Sequence, residues 1–331
     1  MNLSGLHDPL LLLYLGLALD AMFGEMRPLF RHVPHPVVLA GRAIGFFETR
    51  LNRPVRGERA RRLRGIVTVF VLVGAAAGLG WSIQWVCRIS LAGAVAEAVI
   101  IGVLLAQRSL YNHVAAVGTA LIYGGVVSGR LAVSQIVGRD PESLDGAGIA
   151  RAAIESLAEN FSDGVVAPVF WYLVAGLPGL FAYKMANTLD SMIGHRSERY
   201  RAYGWAAARL DDLLNLVPAP ITGLLLAVAA IFDREHSGAG ALRIMLRDGR
   251  KHASPNAGWP EAAMAGALGI ALAGPRHYHE GTVGDPYLGD GSPIATPQDI
   301  NRALNLYFRA CAMLSALVLG AFLVRHLMRP G

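Results

Sequence analysis

Charge is scarce in this sequence. Only 16% of its 331 residues are Asp, Glu, Lys or Arg, against 53% hydrophobic residues, and the mean hydropathy is +0.41. A soluble domain of this size carries roughly 25% charged residues, so the deficit excludes an ordinary water-soluble globule. Cysteine is nearly absent. Cys87 and Cys311 each sit in or beside an apolar block. Neither belongs to a CxxC pair, which argues against a disulfide framework or a cysteine metal site, and both are read as packing residues. There is no GxxxxGK[ST], HExxH or GxSxG, so a P-loop, a zincin site and a hydrolase elbow are all missing. No run alternates polar and apolar residues as a membrane barrel strand would, and there is neither a clear repeat nor a low-complexity linker.

Apolar blocks are what the chain has in quantity. Ile66–Ile83, Leu213–Phe232 and Cys311–Val324 carry no charge, and Leu91–Ala106 carries only Glu97. Crossing the ~30 Å hydrocarbon layer takes about 20 apolar residues, a length these blocks reach alone, with their flanks, or by tilting. An earlier block, Pro9–Leu19, lacks the basic leader and small-residue cleavage site of a secretory signal and reads as a retained helix. The pattern predicts an all-α, polytopic integral membrane protein, one membrane-embedded domain over 1–331, with five to eight membrane helices.

Seven arginines (Arg50, Arg53, Arg56, Arg59, Arg61, Arg62 and Arg64) precede the second block. Basic flanks stay cytoplasmic and meet anionic lipid. No aromatics interleave with them, so nucleic acid is not the expected partner. The N-terminus is then outside, 24–65 inside, 66–106 a hairpin and 107–163 inside, which gathers polar helical loops on the cytoplasmic side. Beyond that, charge and parity conflict. Val165–Tyr183 should lead outward, yet Lys184, Arg196, Arg199, Arg201 and Arg209 follow it. Pro168, Gly176, Pro178 and Gly179 interrupt that block, and broken helices at membrane depth survive only when buried in protein or lining a cavity. A broken or re-entrant segment is therefore expected there, at 213–232 with Pro218 and Pro220, and at the short block Ala262–Gly274. Asp285–Pro297 reads as a loop.

Five polar groups punctuate the blocks. Glu155, Glu159 and Asp163, if helical, stack on one face and repel unless a cation sits among them. Mg²⁺ prefers such oxygens and often bridges to phosphate; a solvated polar face is the plainer alternative. Lys184, Asn187, Thr188, Asp190, Ser191 and His195 form the second group. Arg209, Asp211, Asp212 and Asn215 form the third. Arg209 and Asp212 fit an i, i+3 pair, which leaves Asp211 and Asn215 unaccounted for, and ionisable residues at a membrane boundary default to a functional hypothesis. The fourth, Arg247–Trp259, packs Arg250, Lys251 and His252 ahead of Ser254-Pro255-Asn256. It suits phosphate or is a second positive-inside signal. Asp20, Gly24, Glu25, His32, His35 and Pro36 form the fifth. Residue chemistry alone thus suggests an inner-face site for an anionic substrate with Mg²⁺.

These runs also resemble a known family. ESLAENFSDGVVAPVFW (Glu155–Trp171), NTLDSMIGH (Asn187–His195), ARLDDLLNLVPA (Ala208–Ala219) and HASPNAGWPEAAMAGALG (His252–Gly269) look like signatures of the cobinamide-phosphate synthases (CobD/CbiB). HPVVLAGR at His35–Arg42, GRDP at Gly138–Pro141, GP..Y at Gly274–Tyr278 and LGDG at Leu288–Gly291 also fit, in order along the chain. Met26, His195, Pro220 and Ala273 depart from the usual pattern and bear on substrate detail.

The resemblance implies an ATP-dependent carbon–nitrogen ligase joining adenosylcobyric acid to aminopropanol or its phosphate. It also implies a bacterial inner-membrane setting with the site facing the cytoplasm, alongside other late cobalamin-pathway membrane enzymes. On this view Glu155, Glu159, Asp163, Asp190, Asp211 and Asp212 are the catalytic candidates, and Glu159, Asp163, Asp190 and Asp212 the Mg²⁺ ligands. Lys184, Arg209, Arg250, Lys251 and His252 would take phosphate and carboxylate groups. His35, Asn160, Asn187, Asn215, Ser254 and Asn256 would bind or orient substrate. The rivals are a non-catalytic AmpE-like membrane relative, which would not be expected to keep every acidic and SPN motif, and a transporter, for which inverted repeats are missing.

Overall fold

The computed structural model describes residues 6–24, 30–31, 34–138, 141–195, 197–278, 281–284 and 286–328. Glu25, His32, Arg196 and the Arg139-Asp140 pair of GRDP lie outside the described residues. The chain groups into two compact units, Met1–Ala106, Ala167–Asn215 and Val318–Gly331 in one, Gln107–Val166 and Leu216–Leu317 in the other.

The first unit contains α1 (Pro9–Phe23), α2 (Pro36–Leu51), α3 (Glu58–Cys87), α4 (Leu91–Leu104), α7 (Ala167–Ile193) and α8 (Trp205–Asn215). In lipid the solvent is as apolar as the side chains, so helices associate through close packing of small residues. Gly16 and Gly102 do this between α1 and α4: a Cβ on Gly16 would lie 2.5 Å from Ile101. Gly80 does it between α3 and α7, where a Cβ would lie 2.6 Å from the Leu177 carbonyl. Toward the polar end, Ile44, Val69, Leu72, Leu189, Ile193, Tyr203 and Ala207 form a buried cluster, and Thr68 and Tyr203 share a buried hydroxyl contact of 2.8 Å.

The second unit contains α5 (Gln107–Val133), α6 (Gly146–Phe161), a π turn (Ser162–Val166), α9 (Pro218–Ile231), α10 (Gly238–Asp248), a 3₁₀ turn (Gly249–Lys251) and α11 (Gly258–Leu268), with most of α12 (Pro297–Leu327). α11 is almost wholly buried, and its Gly266 meets Gly240 of α10 backbone to backbone. Two short antiparallel ribbons join this unit, β1 (Leu272–Ala273) with β4 (Tyr287–Leu288) and β2 (Arg276–Tyr278) with β3 (Gly281–Val283). Residues 287–288 were expected to be loop; they are instead captured as the partner strand of β1.

Among the described residues, Glu58–Cys87, Leu91–Val133, Gly146–Ile193 and Pro297–Leu327 are long and apolar enough to cross a membrane. A fifth span results if Trp205–Asn215 and Pro218–Ile231 count as one bent crossing. The protein is an all-α multi-pass membrane protein whose four or five such stretches, among the described residues, fall at or just below the low end of the expected five to eight. The expected inside segment 107–163 is mostly helical, over Gln107–Val133 and Gly146–Phe161. Its first helix, Gln107–Val133, opens on polar residues, keeps Arg130 in its last turn, and belongs to the Leu91–Val133 stretch that is long and apolar enough to cross. The expected break in Val165–Tyr183 is present. Gly176 takes φ +65° and Ala175 is non-helical, a conformation glycine tolerates, and Pro178 lacks the amide the helix would need. The other expected break falls at Leu216–Val217, ahead of Pro218. α11, at 11 residues, is too short to cross.

Candidate functional site

Each unit assembles its own polar cluster. In the first, the C-terminal half of α7 packs against α8, and two i, i+4 pairs meet. Tyr183 and Asn187 occupy one face of α7, Asp211 and Asn215 one face of α8. Asn187 Nδ2 donates to Asp211 Oδ1 at 3.3 Å and Asn215 Nδ2 to Asp211 Oδ2 at 3.0 Å. Tyr183 Oη donates to Asn215 Oδ1 at 3.0 Å. Asp211 is 7% exposed, and Asn215 and Tyr183 are fully buried. The carboxylate is thus held by neutral donors, which satisfy its lone pairs without cancelling its charge. Asp190 and Asp212 lie close enough to act on it electrostatically, so three acids share this corner. Arg209 pairs with Asp212 at 3.4 Å, the i, i+3 contact expected, while Asp211 and Asn215 have the network just described. Lys184 is half-buried on the same stretch of α7, and its carbonyl accepts from Thr188.

His35 serves a local purpose. It is the N-cap of α2, its Nδ1 accepting the Val37 N–H at 3.3 Å, with its ring against Phe30. This satisfies one of the otherwise orphaned first-turn amides.

In the second unit the expected stripe of Glu155, Glu159 and Asp163 is not a single regular face. α6 ends at Phe161, and the π turn shifts the phase before Asp163. Glu155 is buried and accepts the Ala273 N–H of β1 at 2.8 Å, so it fastens a strand. Glu159 and Asn160 are exposed, and Asn160 Nδ2 donates to the Ser156 carbonyl at 2.8 Å. Ser162 Oγ, inside the turn, is buried with no hydrogen-bond partner among the described residues. Single π turns inside helices occur frequently at functional sites.

The cationic segment that follows α10 is largely neutralised from within. Asp248, fully buried, takes a bidentate pair from Arg247 at 2.7 and 2.6 Å, Lys251 Nζ at 2.6 Å and the Gly289 N–H at 2.9 Å. Hydrogen bonding from Arg247 above all, then Lys251 and the Gly289 amide, holds its carboxyl well below the usual carboxylate range against the opposing effect of burial. Arg247 also reaches Asp290 at 2.6 Å. Lys251 thus pairs with the carboxylate that, with Arg247, holds the 289–290 turn. Arg250 is exposed, its guanidinium 5.8 Å from the Trp259 ring centroid. His252 Nδ1 accepts the Ser254 N–H at 3.0 Å, and its Nε2 faces Glu261, 3.8 Å away and nearly buried. Ser254 Oγ accepts the Asn256 and Ala257 amides at 3.2 Å each, a turn that leads into α11 beside the buried Asn256.

Sequence reasoning left Tyr183, Asp248, Asp290 and Glu261 without roles. Glu261 had a visible signal, as the one acid in the Gly/Ala-rich α11. Asp248 had another, lying between Arg247 and Lys251. Among the described residues no group of three or more His, Cys, Asp or Glu side chains is arranged to hold a metal ion. Mg²⁺ that arrives on substrate phosphates needs only one or two carboxylates, so the acids around Asp211 fit that manner of binding and not a closed protein cage.

A family profile described as CobD/Cbib protein matches residues 13–307. The chain is 50% identical over 318 residues to the cobalamin biosynthesis protein CobD of a Sinorhizobium species, covering 95% of this chain and 98% of that protein. It is 50% identical over 318 residues to the protein of that name from Brucella anthropi, covering 95% and 97%. Against the one from Rhodobacter capsulatus the figure is 46% over 307 residues, covering 93% and 95%. No solved structure matches. The match takes in both polar clusters, the Asp211 corner and the Ser254–Glu261 turn alike, and the chain belongs to the CobD/CbiB family.

Proposed function

We propose that this protein acts in cobalamin biosynthesis as an amide-forming synthase, joining aminopropanol or aminopropanol phosphate to a carboxyl group of adenosylcobyric acid. The observation that carries the reading is the buried, amide-held Asp211 within electrostatic reach of Asp190 and Asp212, in a chain half identical to proteins named for cobalamin biosynthesis. An excess of fixed negative charge beside neutral amides suits an incoming ammonium group and the cation that accompanies a nucleotide.

A carboxylate is a poor acyl electrophile. Transfer of the ATP γ-phosphoryl group to it releases ADP and gives an acyl phosphate. The amine then attacks the carbonyl carbon, the C–O bond to phosphate breaks, and one proton leaves the nitrogen. Within this scheme Asp190, Asp211 and Asp212 would bind the ammonium form, take its first proton to free the amine, and accept the second that leaves on attack. Asn187 and Asn215 would hold the acceptor carboxylate in place, and positioning of this kind is a large part of what such a reaction requires. Mg²⁺ carried on the nucleotide would supply charge neutralisation at the phosphates, with Asp190 and Asp212 beside Asp211 the candidate residues to hold it. Arg209 and Arg250 are the exposed cations suited to anionic substrate groups. The site faces the cytoplasm of the bacterial inner membrane, where ATP and the corrinoid are supplied and where other late-pathway membrane enzymes would meet it.

The test is a membrane assay with adenosylcobyric acid, ATP and either aminopropanol or its phosphate, following corrinoid product. A deletion strain should be rescued by cobinamide and not by cobyric acid. Rescue by cobyric acid alone would contradict the proposal.

A further inference from the structure

We propose that the arginine-rich end of α3 is a docking surface for anionic phospholipid headgroups, separate from the polar clusters above. The seven arginines between Arg50 and Arg64 have two acids near them in sequence, Glu48 and Glu58. Both acids are occupied from elsewhere in the same unit. Glu48 takes two N–H groups of Arg199 at 2.9 Å each, and Glu58 pairs with Arg201. These contacts bring two further arginines to the patch and occupy both of those acids. Arg56 donates to the Arg50 and Leu51 carbonyls at the end of α2, and Arg61 to Asn52 Oδ1 at 2.8 Å. The side chains of Arg53, Arg59 and Arg64 make no hydrogen bond or ion pair among the described residues. Positive charge at a helix N-terminus also opposes the macrodipole, and Gly57 supplies no side-chain cap for α3, so an anion there relieves both.

The position along α3 selects the kind of anion. Its apolar run starts at Ile66. At 1.5 Å per residue, Arg64 stands about 3 Å and Arg59 about 10 Å before it, which spans the headgroup layer flanking the hydrocarbon. Leu63, Ile66, Val67 and Phe70 are exposed at 63%, 41%, 48% and 81%, the face α3 offers to lipid. Trp81 and Trp85, exposed at 65% and 63%, sit where an aromatic belt at the opposite interface belongs. Two arginines lie on aromatic rings, Arg50 on Phe46 at 3.6 Å and Arg62 on Trp205 at 3.7 Å. Val38, Leu39 and Phe46 of α2 are exposed beside them. A free nucleotide or phosphate has no use for such an apolar border; a lipid inserts its chains against it. Basic flanks lie on the cytoplasmic side, where the leaflet is anionic.

The experiment uses the full-length protein purified in neutral detergent and supplied with phosphatidylglycerol, phosphatidylcholine or inorganic phosphate, with retained lipid counted by native mass spectrometry. Phosphatidylglycerol should be retained over phosphatidylcholine, and retention should fall as salt is raised. A basic residue near an anionic surface is worth about a factor of five. Replacing Arg53, Arg59 and Arg64 together by Gln should therefore lower phosphatidylglycerol retention by at least about tenfold, while their replacement by Lys should preserve it. Equal retention of the two lipids, no salt dependence, full retention by the Gln variant, or displacement of the lipid by millimolar inorganic phosphate would each overturn the proposal. The salt series needs no variant, so misfolding of the Gln protein would not leave the question open.

Discussion

Two buried aspartates organise the two units, and they are satisfied in opposite ways. Asp211 accepts from two side-chain amides; Asp248 accepts from Arg247, Lys251 and a backbone N–H. A carboxylate held by amides keeps its charge available to a third party, whereas one held by a guanidinium and an ammonium has already been neutralised. The first arrangement suits chemistry on a cationic or amine-bearing substrate. The second suits a clamp, here one that ties α10 to the turn at Gly289–Asp290. A count of acidic residues would rank the two alike, and their donors separate them.

The largest effect expected from this contrast is on turnover. Asp211→Asn keeps the size of the side chain and removes the charge, and product formation should fall by at least about 10²-fold, the scale of a lost proton-transfer group, with the protein still folded in the membrane. Asp190→Ala and Asp212→Ala should also abolish product; full activity in both would remove the acids from the reaction. Next in size is stability. Asp248→Ala should destabilise the second unit toward the lower end of the roughly 3–5 kcal/mol typical of breaking a buried pair, because Arg247 and Lys251 can reach water once released. Thermal melting in detergent measures it.

Acid titration sharpens the same comparison. The Asp248 carboxyl is held below its ordinary range, so its contribution is complete above about pH 4 and is lost as pH falls toward the lowered value. Wild-type protein should therefore lose melting temperature below pH 4 more steeply than Asp248→Asn. The smallest effect is expected at Tyr183→Phe, about 1 kcal/mol for one lost hydrogen bond to Asn215.

Much of this was legible in the sequence, and the remainder has identifiable physical causes. Composition gave the membrane class, and Gly176 with Pro178 gave the break in α7, because backbone chemistry is local. The i, i+3 pair of Arg209 and Asp212 was readable for the same reason. The π turn after Phe161 was not, since a single inserted residue per turn leaves the composition unchanged while rotating Asp163 off the face of Glu155. Nor was the neutralisation of Lys251, which requires knowing that Asp248 is buried and turned toward it. Lys251→Ala should accordingly change the KM for anionic substrate less than Arg250→Ala does.

The most direct measurement sets Asp211→Asn beside Asp248→Asn in one membrane assay, with product rate divided by the amount of folded protein. Asp211→Asn should be nearly inactive per folded molecule and Asp248→Asn near the wild-type value. Wild-type turnover in Asp211→Asn, with the loss appearing in Asp248→Asn instead, would contradict the assignment of the α7–α8 cluster as the reaction site.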